Sequence, residues 1–235
     1  MYLIFEKVIV LIIVLNNKNN FIYDDFVLYR NKLKELKSNS SIILCPSICY
    51  LSMCINDSNY ELGAQKISNK REKAITGSIT AEQLKALNVK YCIVGHSDFC
   101  DDKIAAKNKM LDLLRNEIIP ILCVSDDDKE LSLLDKEKSI KKKLDFFLAD
   151  VEPSYLDKLY LAYEPYWAVN KNFDLDYEEI EYLINSIKDE YPNNKVLYGG
   201  GINSYNFNTI SKIDKLDGLL IGRFGNDVDN FKNYI

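Results

Sequence analysis

The chain has 235 residues, 47% of them hydrophobic and 28% charged, with a formal net charge of −5. A chain of this length buries one large core, so we expect a single domain over residues 1–235. The negative charge argues against a nucleic-acid-binding protein, which normally carries clustered Lys and Arg. Six cysteines without a CxxC pair and a single histidine argue against a zinc site, so we expect no metal.

The first apolar run, Val8–Leu15, follows a second apolar stretch, Met1–Phe5, from which Glu6 and Lys7 separate it. A membrane-spanning helix needs about 20 apolar residues, and no small-residue cleavage site follows. We therefore interpret Val8–Leu15 as a buried strand and expect no membrane association. The free cysteines are typical of a reducing cytosol, which predicts a cytoplasmic protein.

Short apolar runs recur along the chain with amphipathic stretches between them. The predicted strands are Val8–Leu15, Ile42–Cys45, Glu61–Ala64, Val89–Val94, Ile118–Val124, Lys158–Tyr163, Lys195–Tyr198 and Leu219–Ile221. Apolar residues at helical spacing predict helices at Phe26–Leu36, Ala81–Leu87, Ile104–Leu114, Ile140–Leu148 and Tyr177–Tyr191. Strands that alternate with helices indicate a parallel sheet.

Strands that are apolar throughout are buried on both faces, and eight strand–helix units close into a (β/α)8 TIM barrel with the helices outside. A doubly wound open sheet is the alternative, because strand order cannot be read from one sequence. No GxGxxG follows the first strand, which disfavours the dinucleotide site of many open sheets.

Polar residues and glycines follow the predicted strands at the face of the barrel where all carboxyl ends open. They are Asn16, Lys18, His96, Glu164, Gly199–Gly201, Gly222 and Arg223. Each alone has a structural explanation, since a strand-end Glu often faces a helix N-terminus and a lone His is often structural. Together on one rim they predict a site with a carboxylate, an imidazole and a phosphate-sized glycine loop.

Several motifs resemble those of the triosephosphate isomerase family, in the same order along the chain. They are Asn16-Asn17-Lys18, Gly63-Ala64-Gln65, Ile75-Thr76-Gly77-Ser78, Val94-Gly95-His96-Ser97-Asp98, Ala162-Tyr163-Glu164-Pro165-Tyr166-Trp167-Ala168 and Tyr198-Gly199-Gly200-Gly201. The resemblance implies a cytoplasmic homodimer that interconverts two triose phosphates without a cofactor. It implies Glu164 as the base and His96 as a neutral electrophile.

The resemblance also implies roles for the residues around these two. Lys18 would place a positive charge beside the substrate, and Asn16 would donate a hydrogen bond to the same region. The backbone amides of Gly200, Gly201 and Gly222 would cradle the phosphate. Asp98 would orient Lys18, and Thr76 would reach across a dimer interface toward the partner's active site.

The sequence departs from the family pattern at four places. Arg223 stands where the family has a phosphate-binding glycine, Gly201 replaces a serine, Asp98 replaces a glutamate, and Asn170-Lys171-Asn172 replaces a Gly-Thr-Gly hinge. An arginine either grips a phosphate with its charged fork or fills the pocket. Two alternatives therefore stay open: a sister isomerase that acts on a four-carbon ketose phosphate, and a catalytically impaired barrel that binds a sugar phosphate or a protein.

Overall fold

A computed structural model of the chain describes residues 10–69, 74–99, 101–126, 128–168 and 176–235. Eight parallel strands pair in chain order and close into a barrel, with the last strand beside the first. The strands are β1 Ile12–Asn16, β2 Ser41–Cys45, β3 Glu61–Ala64, β4 Tyr91–Val94, β5 Ile119–Val124, β6 Tyr160–Tyr163, β7 Lys195–Tyr198 and β8 Gly218–Ile221. The predicted (β/α)8 barrel is confirmed, and the open sheet is wrong.

Helices surround the barrel and follow most of the strands. They are α1 Tyr23–Glu35, α2 Ala81–Ala86, α3 Lys103–Arg115, α4 Leu133–Leu148, α5 Pro153–Leu156, α6 Tyr177–Glu190, α7 Phe207–Ile210 and α8 Val228–Phe231, with 3₁₀ helices at Ile48–Cys54 and Arg223–Asn226. None of the helices in the described ranges has both the length and the apolar character needed to cross a bilayer.

The core has two layers, which explains why the strands read as continuous apolar runs. Val14 lies inside the barrel with Ile43 and Leu197, whereas its neighbours Ile13 and Leu15 pack outward against the helices. At the amino end of the barrel the rings of Tyr91 and Tyr160 pack with centroids 5.4 Å apart. These tyrosines begin their strands, so they fill the end of the barrel opposite to the carboxyl ends.

An ionic cluster at the amino end of the barrel predicts a pH-dependent contribution to stability. Asp217, just before β8, accepts hydrogen bonds from Lys188 Nζ at 2.7 Å, Lys195 Nζ at 2.9 Å and the Val196 N–H at 2.9 Å. Burial raises the pKa of Asp217, but these donors outweigh burial, so the pKa is lowered overall. We expect Asp217→Asn to reduce the free energy of unfolding by about 1.5 kcal/mol at pH 7, the scale of a charged hydrogen bond.

The sign follows from the lowered pKa. The carboxylate stabilises the fold above its unfolded-state pKa of about 3.9, and this stabilisation is lost as the pH falls through the folded-state value. Urea unfolding between pH 7 and pH 3 should therefore show that the free energies of unfolding of the wild type and of Asp217→Asn converge as the pH falls. Asp214→Asn, at an exposed position three residues earlier, is the control and should change nothing. If Asp217→Asn were less stable than the wild type by the same amount at both pH values, an ionic origin would be contradicted.

Candidate active site

A cavity of about 290 Å³ opens at the carboxyl ends of the strands. Its wall includes most of the predicted site residues, namely Asn16, Lys18, His96, Glu164, Gly201, Gly222 and Arg223. They follow β1, β4, β6, β7 and β8, so the barrel brings together residues that are far apart in sequence. The cavity is therefore the candidate active site.

Glu164 and His96 face each other in this cavity. The Glu164 Oε1 atom lies 2.9 Å from His96 Nε2, and their side chains are only 4% and 3% exposed. The Glu164 N–H donates to the Val124 carbonyl at 2.8 Å, which extends the β5–β6 pairing by one residue and fixes where the side chain begins. Gly95 turns the chain toward His96 with φ +73°, and a Cβ there would lie 2.9 Å from the Cys123 carbonyl oxygen.

The hydrogen bonds of His96 select one form of the ring. The Asp98 backbone N–H donates to His96 Nδ1 at 3.0 Å, so Nδ1 carries no proton. A ring with one protonated nitrogen is neutral, and its proton lies on Nε2, which then donates to Glu164. The site thus pairs a neutral imidazole donor with a carboxylate acceptor.

Lys18 is held in an unusual backbone conformation. Its φ is +51°, which is rare for a residue with a long side chain, and hydrogen bonds brace it on both sides. Its N–H donates to Asn16 Oδ1 at 3.3 Å, and its carbonyl accepts from Gln65 Nε2 at 2.8 Å. Such strain is typical of functional positions. The sequence motif contained Gln65, but nothing in the sequence assigned it this contact.

Asp98 forms an ion pair with Lys18, since Asp98 Oδ2 lies 2.7 Å from Lys18 Nζ. Partial burial raises the pKa of Asp98, but the hydrogen bond from Lys18 and the positive charge of Lys18 lower it overall. Asp98 is therefore ionised at neutral pH, and it neutralises part of the charge of Lys18.

Backbone N–H groups without partners form another part of the cavity wall, where a Cβ on Gly222 would lie 3.8 Å from Lys18 Cε. Within the described ranges, those of Gly201, Ile202, Gly222 and Arg223 donate to no protein acceptor. The Arg223 guanidinium also makes no ion pair or hydrogen bond with any residue that the structure describes. Free N–H groups and an unpaired guanidinium suit a phosphate group.

Three predicted residues, Asp98, Gly200 and Thr76, lie outside the lining of this cavity. Asp98 is joined to it by its ion pair with Lys18. Gly200 is buried behind it, where a Cβ would collide with the Tyr198 hydroxyl. Thr76 is exposed in the turn that the Ser78 N–H closes on the Ile75 carbonyl at 3.1 Å. The loop Asn170-Lys171-Asn172 lies outside the described residues.

Asp126 and Cys123 support the site although the sequence did not single them out for this role. Asp126, 1% exposed, accepts from the Tyr163 hydroxyl at 3.0 Å and from Trp167 Nε1 at 2.9 Å. Trp167 is thus tied to the loop that follows β5. Burial raises the pKa of the Cys123 thiol, and the adjacent Glu164 raises it further, so Cys123 stays neutral.

Chemically, the arrangement can remove a proton next to a carbonyl group. The Glu164 carboxylate can act as a base, the His96 N–H and the Lys18 ammonium line the same cavity and can stabilise an oxygen that gains charge, and the free N–H groups can hold an anionic group. A small phosphorylated carbonyl compound meets these three requirements.

Comparison with known proteins points to one family. The family model described as triosephosphate isomerase matches residues 11–235. The triosephosphate isomerase of Mesomycoplasma hyopneumoniae (strain 232) is 30% identical over 221 residues, which cover 90% of this chain and 89% of the relative. Those of Wolbachia pipientis wMel (30%, covering 95% and 92%) and of Synechococcus sp. strain RCC307 (31%, covering 81% and 78%) are similar at comparable levels.

Proposed function

The chain belongs to the triosephosphate isomerase family and is an isomerase of that kind, and we propose that it interconverts dihydroxyacetone phosphate and glyceraldehyde 3-phosphate. One observation carries the proposal: Glu164 Oε1 lies 2.9 Å from His96 Nε2, at the cavity that the free N–H groups line. A base, a neutral donor and an anion site are the parts that an aldose–ketose isomerisation needs.

Glu164 acts as the base in both directions. Its carboxylate removes a proton from the carbon next to the carbonyl group, which leaves an enediolate, and then returns the proton to the neighbouring carbon. The carboxylate is only 4% exposed, so little water competes with the substrate for the proton.

His96 and Lys18 stabilise the charge that develops on oxygen. The His96 Nε2 proton, directed at Glu164 Oε1 in this structure, is donated to the substrate's carbonyl oxygen and shuttles between the two enediolate oxygens. The Lys18 ammonium lies on the same rim and attracts the oxyanion, and Asn16 donates a hydrogen bond nearby.

The phosphate binds at the part of the cavity wall that the free N–H groups line. The amides of Gly201 and Gly222 donate to its oxygens, and Arg223 adds a charged fork. Gly200 lies behind this wall, where the absence of a side chain lets the loop pack against Tyr198 and Pro165.

Purified protein assayed on glyceraldehyde 3-phosphate and on four-carbon ketose phosphates in parallel tests the proposal. We expect faster turnover of the triose phosphate. The four-carbon alternative is kept because Arg223 lines the cavity, and a faster rate on those compounds would replace the substrate while keeping the mechanism. Absence of turnover on every substrate would support the impaired, binding-only barrel.

We also propose that the protein acts as a homodimer. A second cavity, of about 380 Å³, lies on the other side of Lys18 and His96 and is also lined by Gln65, Asp98 and Phe99. The exposed turn that carries Thr76 has no role within its own site. In the dimer, Thr76 of one protomer enters this cavity of the other and contacts the Lys18–Asp98 pair.

Thr76→Arg tests the dimer, because an arginine is too large and too strongly charged to enter beside Lys18. We expect sedimentation equilibrium to give twice the mass of one chain for the wild type and a single chain for the variant, with activity reduced about tenfold. Ser58→Arg, exposed at the other end of the barrel, is the control. A variant that remains dimeric and fully active would rule out this role of Thr76.

A further inference from the structure

Two asparagine side chains hold the carbonyl of Gly201, and we propose that this pair, Asn203 and Asn206, positions the backbone for the phosphate. The Gly201 carbonyl oxygen accepts from Asn206 Nδ2 at 3.0 Å and from Asn203 Nδ2 at 3.2 Å. The inference rests on the proposed function, because it names the residues that prepare the anion site. We call Asn203 and Asn206 the asparagine clamp.

The asparagine clamp is closed by its own hydrogen bonds. Asn206 Oδ1 accepts from the Asn203 N–H at 2.8 Å, and Asn203 Oδ1 accepts from the N–H groups of Tyr205 at 2.8 Å and Asn206 at 3.3 Å. The Oδ1 and Nδ2 atoms of both side chains therefore make hydrogen bonds, so neither amide can rotate without breaking them. Asn206 is also buried, at 4% exposed, which makes an unpaired amide costly.

The clamp fixes which way the next peptide group faces. Because a trans peptide is planar, a Gly201 carbonyl turned toward the clamp leaves the Ile202 N–H pointing away from it. Gly201 and Ile202 both line the cavity, and this N–H has no acceptor in the described part of the chain. Gly201 has φ +56°, a conformation that glycine adopts without strain.

The orientation matters because a peptide group has a donor on one side and an acceptor on the other. With the clamp in place an N–H is presented to the phosphate. A flipped peptide would present the Gly201 carbonyl oxygen, which repels a phosphate dianion. The clamp thus keeps the dipole in its favourable direction before substrate arrives, which is the condition for effective electrostatic stabilisation.

Asn206→Ala and Asn203→Ala test this inference, with Asn208→Ala as the matched control. Asn208 is exposed, and its side chain makes no hydrogen bond within the residues described. We expect calorimetric binding of inorganic phosphate to weaken about fivefold to tenfold in either clamp variant, with a similar loss in kcat/KM for glyceraldehyde 3-phosphate. Turnover of glyceraldehyde, which lacks the phosphate, should change less than about twofold.

The substrate without phosphate separates positioning from folding. An equal loss on both substrates would show that the clamp only holds the loop together, and unchanged phosphate binding in both variants would also overturn the inference. If Asn206→Ala does not fold, Asn203→Ala carries the same test, because Asn203 is less buried. Phosphate binding needs no turnover, so a wild type that binds phosphate through the clamp but isomerises nothing would refute the proposed function and leave this inference standing.

Discussion

Glu164→Gln is expected to lower kcat/KM for glyceraldehyde 3-phosphate by about 10³–10⁴-fold. In the wild type, Oε1 of the Glu164 carboxylate lies 2.9 Å from His96 Nε2. Glutamine keeps the shape of the side chain and an oxygen that can accept this hydrogen bond. Its amide cannot take a proton from carbon, and a positioned base contributes up to about 10⁴-fold. Steady-state assays in both directions measure the loss, which should fall on kcat while binding of inorganic phosphate is preserved.

Two further variants make this result specific. Glu178→Gln applies the same chemical change at an exposed position on α6 and should leave the rate unchanged. Glu164→Asp keeps the carboxylate but withdraws it by one methylene, so we expect an intermediate loss of about 10²-fold. If Glu164→Gln retained activity within about tenfold of the wild type, another group would have to be the base.

The strands could be read from the sequence because the barrel buries both of their faces. Glu61–Ala64 and Lys195–Tyr198 are strands with the bounds that the apolar runs predicted. The helices were harder to predict where polar residues interrupt the helical spacing of the apolar residues. Helix α4 was predicted from Ile140 but begins at Leu133, because the polar run at residues 135–139 separates its first two leucines from the later apolar positions. Ser132 caps the helix, and its side chain accepts from the Asp135 N–H.

Sequence order also hides contacts between loops. Glu164 and His96 could be placed on one rim because each lies within two residues of the end of a strand. The hydrogen bond from Gln65 to the Lys18 carbonyl joins two loops, and no periodicity reports it. The same limit applies within a loop: successive peptide groups face different ways, so three adjacent glycines do not reveal that Gly201 lines the cavity while Gly200 lies behind it.

The charge balance of the cavity gives Arg223 a larger role than its place in the sequence indicates. Lys18 shares its charge with Asp98 at 2.7 Å, whereas Arg223 has no ionic partner among the residues that the structure describes. Arg223 can therefore pair with an incoming phosphate without giving up an ion pair to a described residue, whereas Lys18 already pairs with Asp98. This balance favours a grip on the phosphate over the alternative, in which the side chain fills the pocket.

We therefore expect Arg223→Met to raise KM for glyceraldehyde 3-phosphate by about 100-fold. Methionine keeps much of the length and apolar contact but removes charged hydrogen bonds worth about 1.5–3 kcal/mol, or about 10–150-fold in affinity. Substrate and inorganic phosphate should weaken together in kinetic and calorimetric measurements, because both use the same group.

The dependence on salt separates the two roles of Arg223. If the guanidinium grips the phosphate, KM of the wild type rises with ionic strength, and KM of Arg223→Met rises less, because the variant has one fewer charge to screen. Arg223→Lys keeps the positive charge but not the forked geometry of the guanidinium, so its KM should lie between those of the wild type and Arg223→Met. Arg115→Met, at the exposed end of α3, controls for the loss of one positive charge. A lower KM in Arg223→Gly would mean instead that the side chain occupies the space of the substrate, and the free N–H groups alone would then hold the phosphate.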